Sequence, residues 1–413
     1  MSVSIYGSGS NRGNHAGTFW KVGEGYFREE DWETAQAHIR REFFDFKAPL
    51  DDFLDWILTE RQFGRGHWRL GLSKRLFYRA KPVIPASIRL KMRRFYSYSQ
   101  KMNGMLQWPI EDRYVRFQKR LVQDLLKKKG LQEVPYIRFW PGGKDFAFVI
   151  THDVETEEGY RDIPRLVELE KKFGFRSLFT IVPEKYKIDT AYLAELRADG
   201  FEIGLHGLKH DGHLFFSKKA FSRREKAINK YIDDWGVQGF RSPFSHRNPD
   251  WMKGLKCDYD LSFFDTDPYE PMPGGTMSIW PFFLHDFVEL PYTLPQDFTL
   301  FIVKEENSID IWRDKIDFIE KEKGMVLFIA HPDYINFINR PQKYKYSCHL
   351  YEQLLSFIKT KENYWHALPK DVAKWWRSRA SSALRQVNGK WEIEPGLEGA
   401  EIGRIRSDKE ILI

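Results

Sequence analysis

Carboxylate side chains close the first of several apolar segments in the middle of the sequence. Asp153 and Glu155 end the stretch FAFVITHDVE. Because side chains alternate along a strand, we expect both carboxylates on one side of it and Val154 on the other. Two acids on one face require a metal ion or a shared proton. The alternative is that they cap the helix predicted to follow residues 155–158.

Histidines close two further apolar segments. His206 and His210 have the i, i+4 spacing that lets both rings meet on one side of a helical turn and share a metal ion. Two histidines and one carboxylate leave coordination positions open for water, which is typical of a catalytic metal site. His331 follows MVLFIA and is predicted at the same edge. The alternative is that all three are ordinary polar histidines.

Other charged residues follow two more segments. Arg241 is predicted to pair with a site carboxylate or with a surface acid. Asp265 and Asp267 either form a turn or orient a site histidine. The sequence contains no GxSxG, and neither Cys257 nor Cys348 has a histidine partner in its sequence context. The sequence therefore does not support a nucleophilic serine or cysteine mechanism.

These residues need a scaffold that brings the ends of separate strands together. Near-continuous apolar segments alternate with amphipathic helices, a pattern that favours parallel strands covered by helices. Seven strands indicate a (β/α) barrel, whose functional site lies at the carboxyl ends of its strands. The predicted strands are 146–153, 177–182, 201–206, 239–242, 260–265, 287–292 and 325–331.

The order of THDVE, HGLKH, FRSPF, SFFD and FIAHPD resembles the polysaccharide deacetylases of the NodB-homology type, carbohydrate esterase family four. The resemblance covers residues 144–335. It implies an α/β fold, a distorted seven-stranded (β/α) barrel. It also implies hydrolysis of an N-acetyl group on a carbohydrate, with a divalent metal that is usually zinc.

The resemblance implies a role for each of the predicted catalytic residues. Asp153 matches the catalytic base, and Arg241 matches the arginine that holds this base. His331 matches the general acid. Asp265 lies near the segment whose acid orients that histidine, and Asp267 is the alternative.

The resemblance also implies the metal ligands, with departures from the family pattern. His206 and His210 match the two metal histidines. Val154 stands where the family usually has a second aspartate, and it cannot bind metal. A variant branch places the ligand acid two residues after the base, where this chain has Glu155. The third motif has residues 244–245 as Phe-Ser in place of the usual trailing glycine.

Basic side chains are concentrated in one segment. Residues 61–110 carry twelve basic side chains and no acidic ones. Since the whole chain has a formal net charge of +7, the remaining residues have a net charge of −5. A helix that packs on the barrel with its basic face in water is one interpretation. A membrane-surface helix that meets anionic headgroups is the other. Nucleic acid is disfavoured because no binding signature is present. A helix is predicted from Pro85, with one face formed by Ile84, Ile88, Met92 and Phe95.

The remaining sequence is arranged around the barrel. We predict a disordered lead (1–17), a helical basic region (18–140), the barrel (141–345), covering helices (346–382) and a hairpin-like tail (383–413). No run approaches 18 apolar residues, and the first residues lack a signal-peptide pattern. We therefore expect a cytoplasmic protein, peripheral at the inner membrane face if the basic segment binds lipid.

Three hypotheses about function remain open. The first is a metal-dependent de-N-acetylase that acts on an N-acetylated glycan, or on a carrier-linked sugar because a cytoplasmic chain cannot reach finished peptidoglycan. The second is a non-catalytic carbohydrate-binding or glycan-assembly protein that has lost the ligand replaced by Val154. The third is a small-molecule amidohydrolase, which could work without a metal.

Overall fold

The structure is a computed structural model that describes residues 12–44, 53–64, 66–100, 106–338 and 340–407. Of the predicted disordered lead, residues 1–11 lie outside the described residues. The prediction is wrong for the rest of the lead, because Arg12–Asn14 form a 3-10 turn and a helix begins at Ala16. Asn14 holds this turn in place, since its side-chain amide donates to the backbone oxygen of Phe283 at 2.7 Å.

The helices and strands alternate through most of the chain. The α-helices are α1 (Ala16–Trp20), α2 (Glu29–Phe43), α3 (Phe53–Leu58), α4 (Leu72–Ala80), α5 (Ala86–Gln100), α6 (Arg113–Lys128), α7 (Glu157–Phe173), α8 (Thr190–Ala198), α9 (Lys218–Trp235), α10 (Pro249–Met252), α11 (Asp310–Lys321), α12 (Cys348–Lys359) and α13 (Pro369–Ser381). The strands are β1 (Glu133–Ile137), β2 (Phe146–Val154), β3 (Leu178–Ile181), β4 (Glu202–His206), β5 (Gly239–Arg241), β6 (Tyr259–Asp260), β7 (Phe282–Leu284), β8 (Phe287–Glu289), β9 (Met325–Ala330), β10 (Ile335–Asn336), β11 (Tyr346–Ser347), β12 (Tyr364–His366), β13 (Ala383–Val387), β14 (Lys390–Glu394) and β15 (Ile402–Arg406).

The predicted α/β fold is confirmed. The central sheet has the order β12-β2-β3-β4-β5-β6-β8-β7, and β9 also pairs with β2. All its pairs are parallel except β7 with β8. The sheet curls, since the N–H groups of Thr293 and Leu294, beyond β8, donate to the backbone oxygen of Leu327 in β9. The seven predicted strands therefore form a distorted barrel.

The sheet departs from the prediction at its edges. The strands predicted at 260–265 and 287–292 shorten to β6 and β8, and only an isolated bridge between Phe264 and Tyr292 continues their pairing. Two further strands join the sheet, β7 and β12. β12 pairs with the first three residues of β2, whereas β3 pairs with the last four. The sequence missed β12 because its segment contains only three residues.

The carboxyl ends of the central strands lie at one edge because the chain returns through helices. All nine residues of β2 and all six of β9 are buried. Their apolar side chains form part of one core that also includes side chains of the helices between the strands. Parallel strands buried on both faces need this cover. The polar residues that follow β2, β4, β5 and β9 are thereby brought to one end of the barrel.

The N-terminal and C-terminal segments pack around the barrel. β1 pairs antiparallel with β15, and β13 pairs antiparallel with β14 across an Asn388-Gly389 turn. The two helices after the barrel, α12 and α13, contribute apolar side chains to the main core. Among the described residues, no helix is both long enough and apolar enough to cross a membrane.

Candidate metal centre

Asp153 lies near the end of β2 with its two carboxylate oxygens in different surroundings. Its Oδ1 accepts hydrogen bonds from Nη1 of Arg241 at 2.8 Å and from Oγ1 of Thr180 at 2.7 Å. Its Oδ2 is 3.8 Å from Nδ1 of His206 and 4.0 Å from Nε2 of His331. The carboxylate is therefore fixed through one oxygen and presents the other to the two histidines.

The charge on Asp153 is set by its neighbours. Burial alone would raise the pKa of this carboxyl, but the Arg241 guanidinium and nearby histidines hold the pKa far below its ordinary value. Arg241 is itself fully buried, and its Nε donates to the backbone oxygen of Leu261 at 3.0 Å. Asp153 is therefore ionised and rigidly held.

Glu155, His206 and His210 form a cluster that could hold a metal ion, since one ligand atom from each lies within 4.8 Å of the others. Glu155 Oε1 is 2.9 Å from Nε2 of His210. Both ring nitrogens of His206 are buried without a hydrogen-bond partner in the part of the chain that the structure describes. Buried polar atoms left unpaired are costly, and a bound cation would remove that cost. The residues present therefore fit a divalent metal such as zinc.

The side chains of the cluster are in the protonation states that metal binding requires. Burial lowers the pKa of His206 to about 3 and also lowers the pKa of His210. Both imidazoles are therefore neutral at pH 7, as metal ligation requires. Burial would raise the pKa of Glu155, but His210 beside it holds that pKa well below the ordinary value. The cluster offers two neutral nitrogens and one carboxylate.

The alternative in which Glu155 caps the following helix is wrong. The N-cap of α7 is Thr156, whose hydroxyl accepts from the backbone N–H of Gly159. The side chain of Glu155 instead points toward the histidines, as strand alternation predicts, with Val154 buried on the other side. Tyr334 fixes its second oxygen by donating to Oε2 at 2.9 Å.

His331 faces the two carboxylates of β2 and is held by a third. Its Nε2 is 4.0 Å from both Asp153 and Glu155. Its Nδ1 is 2.7 Å from Oδ1 of Asp297, and its backbone N–H donates to Oδ2 of the same residue at 2.8 Å. Burial would lower the pKa of His331, but the Asp297 carboxylate raises it to about 10. His331 is therefore protonated at neutral pH.

The prediction that Asp265 or Asp267 orients His331 is wrong. Asp265 pairs with Lys315 of α11 at 2.7 Å, and this lysine is fully buried. A buried ammonium group needs a counter-ion, which takes Asp265 away from the histidine. Asp267 accepts hydrogen bonds from the hydroxyl of Tyr292 and the backbone N–H of Tyr269. Both aspartates therefore stabilise the wall of the barrel.

Phe244 and Ser245 stand where the family pattern has glycine, and the backbone keeps a conformation that glycine favours. Their φ angles are +61° and +48°, in the left-handed region. The Phe244 ring lies 4.4 Å from the ring of His210, centroid to centroid. The ammonium group of Lys81, which belongs to the basic segment, lies 3.9 Å from the centroid of the same Phe244 ring. Phe244 thus contacts both His210 of the cluster and the basic segment.

Sequence reasoning missed several residues that surround the cluster. Asp297 holds His331, and Tyr346 donates to Asp297 Oδ2 at 3.0 Å. Asp333 accepts from the backbone N–H of Glu155 at 2.9 Å. The one signal for Asp297 is a lone acid between two apolar stretches, in TLPQDFTLFIV.

Comparisons with known proteins find similar structures but no sequence match. No protein-family model matches the chain, and no curated protein sequence matches it either. Among solved structures, the Puue allantoinase is 15% identical with a TM-score of 0.47, over 58% of this chain and 92% of its own. A "probable polysaccharide deacetylase" of Pseudomonas aeruginosa PAO1 is 16% identical with a TM-score of 0.46, over 58% and 93%. A family 4 carbohydrate esterase of Streptomyces lividans is 10% identical with a TM-score of 0.34, over 55% and 93%.

Proposed function

We propose that this chain is a metal-dependent de-N-acetylase that hydrolyses the N-acetyl amide of a carbohydrate. The observation that carries the proposal is the arrangement around Glu155, His206 and His210. Their ligand atoms lie within 4.8 Å of one another, both histidines are buried, and both ring nitrogens of His206 lack a hydrogen-bond partner among the described residues. An ionised Asp153 and a protonated His331 flank this cluster.

The metal is proposed to be a divalent ion, with zinc suited to two imidazoles and one carboxylate. When bound, such an ion lowers the pKa of a coordinated water and polarises a carbonyl group. Asp153 accepts the proton of the attacking water at Oδ2. Arg241 and Thr180 keep this oxygen aimed at the cluster, because they hold the opposite oxygen. Asp153 is thus proposed as the general base.

His331 is proposed as the general acid. The water oxygen forms a bond to the acyl carbon, the carbon–nitrogen bond breaks, and the leaving nitrogen needs a proton. His331 supplies that proton from Nε2, the ring nitrogen that faces Asp153 and Glu155. Asp297 keeps the ring oriented through Nδ1 and keeps it charged. A base and an acid with separate tasks give a bell-shaped dependence of the rate on pH.

The proposed substrate class is an N-acetylated glycan. The resemblance of the five motifs to those of the polysaccharide deacetylases supports a sugar. A carrier-linked sugar at the inner membrane face is the finer form of the proposal. It is supported by the sequence-based expectation of a cytoplasmic protein and by contact between the basic segment and Phe244 beside the cluster.

Acetate release tests the proposal directly. The purified full chain is loaded with zinc and incubated with N-acetylated sugars that are free, nucleotide-linked or lipid-linked. We expect acetate from at least one sugar, loss of release after chelation, and recovery when zinc returns. Sugar binding without acetate release would favour the carbohydrate-binding hypothesis. Hydrolysis of small cyclic amides alone, unaffected by chelation, would favour the small-molecule amidohydrolase.

A further inference from the structure

The exposed apolar side chains of this protein are concentrated in the basic segment. Among the described residues, eight large apolar side chains are prominently exposed. Val83 is 83% exposed and Phe95 is 77% exposed. Six of the eight lie on α4, on α5 or in the turn between them, and together we name them the exposed apolar face: Leu72, Leu76, Val83, Ile88, Met92 and Phe95.

Two charged side chains of α5 are turned toward the protein. Arg94 donates to the backbone oxygen of Ile302 at 2.9 Å and pairs with Glu305 at 2.7 Å. Arg93 lies 4.0 Å from the buried Glu270. A helix on the surface of a protein in water usually has the opposite orientation, with its apolar side inward. The arrangement here leaves the apolar side uncovered.

One of the two sequence-based interpretations of this segment expected a helix that packs on the barrel and shows its basic face to water. The helix does pack on the main domain, where Arg94 contacts Ile302, but the face it shows to water includes Ile88, Met92 and Phe95. The three side chains follow the 4, 3 spacing of one helix face, as predicted, but that face is exposed. Helical spacing states which residues share a face and does not state which way the face points.

The charge of the segment indicates what covers the exposed apolar face. Residues 61–110 contain no acidic side chain, so a second copy of this chain would bring two strongly basic segments together. Lys91 and Arg69 are exposed on the same segment. An anionic bilayer satisfies both properties, because apolar side chains enter the boundary of the acyl chains while basic side chains meet the headgroups.

We propose that α4, α5 and their connecting turn dock this protein on an anionic lipid bilayer through the exposed apolar face. The same segment reaches the metal cluster. The hydroxyl oxygen of Tyr78 in α4 lies 3.0 Å from Nε2 of His246. The ammonium group of Lys81 lies 3.9 Å from the centroid of the Phe244 ring, which contacts the tilted ring of His210. Docking would therefore bring the end of the barrel that holds the cluster next to the membrane. The inference goes beyond the proposed function and does not depend on it.

Vesicle co-sedimentation of the full chain tests this inference without any substrate. The probes are phosphatidylcholine vesicles with and without phosphatidylglycerol, at low and high salt. We expect binding to the anionic vesicles that weakens at high salt. Val83→Ser combined with Phe95→Ser should weaken binding roughly tenfold or more, because the two apolar side chains no longer enter the bilayer. The matched control is Ile338→Ser combined with Ile402→Ser, exposed apolar residues outside the segment, which should bind like the wild type.

A charge change separates lipid binding from other associations. Lys91→Glu should weaken binding to the anionic vesicles several-fold, whereas Lys253→Glu, on an exposed turn elsewhere, should not. Failure to bind anionic vesicles, or equal binding by the Val83 and Phe95 variant, would overturn the inference. Self-association in analytical ultracentrifugation that this variant abolishes would assign the face to a second copy and also overturn it. Vesicle binding without amide hydrolysis would overturn only the proposed function.

Discussion

The barrel contains two pairs of acidic residues with opposite electrostatics. Asp153 and Glu155 leave β2 at its carboxyl end, and both have a pKa well below the ordinary value. Asp260 of β6 and Glu289 of β8 are cross-strand neighbours, and both have a raised pKa. All four side chains are largely removed from water. Burial alone therefore does not determine whether a carboxyl group is charged.

The difference between the pairs lies in what surrounds them. The first pair faces the Arg241 guanidinium, the protonated His331 and the imidazoles of His206 and His210, and these groups hold the pKa of both acids low. The pKa of Glu289 is raised by burial and by the carboxylate of Asp260. The second pair is otherwise held by neutral donors, such as the hydroxyl of Ser262, which donates to Asp260 at 2.8 Å. Where the attraction of a cation does not offset burial, two neighbouring acids share a proton. Two acids close to a guanidinium and a protonated histidine remain charged and can serve as ligand and base.

The largest expected effect comes from removing the charge of the first pair at Asp153. Asp153→Asn should lower kcat by about 10²- to 10⁴-fold, because the amide cannot accept the proton of the attacking water. The matched control is Asp260→Asn, which removes an acid of the second pair and should leave kcat within a few-fold. Acetate release at saturating substrate measures both variants. Full activity of Asp153→Asn would remove its proposed role as base.

A smaller effect is expected from Asp297, the carboxylate that keeps His331 charged. Asp297→Asn should lower kcat/KM roughly tenfold to a hundredfold, as is usual when the partner of a site histidine is lost. The Asp297 carboxylate raises the pKa of His331 to about 10, so its loss lowers that pKa. The protonated acid then disappears at lower pH, and the alkaline limb of the pH–rate profile shifts downward.

Tyr346→Phe is the control for this change, because it removes one hydrogen bond to Asp297 and keeps its charge. Its alkaline limb should stay in place. An unmoved alkaline limb in Asp297→Asn would show that Asp297 has only a structural role.

The smallest effect is expected at the second pair and concerns stability. Folding raises the pKa of Glu289, so its contribution to stability is complete below the ordinary pKa of a carboxyl group and is lost as pH rises through the folded value. Glu289→Gln removes this titration. The free energy of unfolding of the variant, relative to that of the wild type, should rise from pH 5 to pH 8 by about 1 kcal/mol, or roughly 2 °C in Tm.

Thermal melting at the two pH values measures the gain of Glu289→Gln. The control, Glu392→Gln, alters an exposed acid and should show no such gain. A Tm difference from the wild type that is the same at both pH values would contradict the shared proton.

Strand ends could be read from the sequence because they depend on local pattern. Apolar runs located β2, β4 and β9, and alternation placed Asp153 and Glu155 on one side. His206 and His210 do lie together, with ring centroids 5.0 Å apart, although residues 207–210 form a bend and not the helical turn that the i, i+4 spacing predicted. These features need only the chain on either side of each residue.

Residues whose partners are remote could not be read in this way. Asp297 lies 34 positions before His331, just ahead of a short π-helix at Phe298–Val303, and no local pattern aims it at a histidine. Asp265 was the closer candidate by strand position, but Lys315, 50 residues away, takes its carboxylate. The outward face of α5 depends in the same way on remote acids, namely those that pair with its arginines.

The central claim is that Glu155, His206 and His210 bind a metal ion beside Asp153. Measuring the metal content of purified variants tests it directly. The wild type, Asp153→Asn, Glu155→Ala and the control Glu157→Ala are loaded with zinc, passed through a desalting column and analysed for bound metal. We predict about one ion per chain in the wild type, in Asp153→Asn and in Glu157→Ala, and little in Glu155→Ala, because a site with three protein ligands loses one. A wild type without zinc, or a Glu155→Ala variant that retains it fully, would contradict the account.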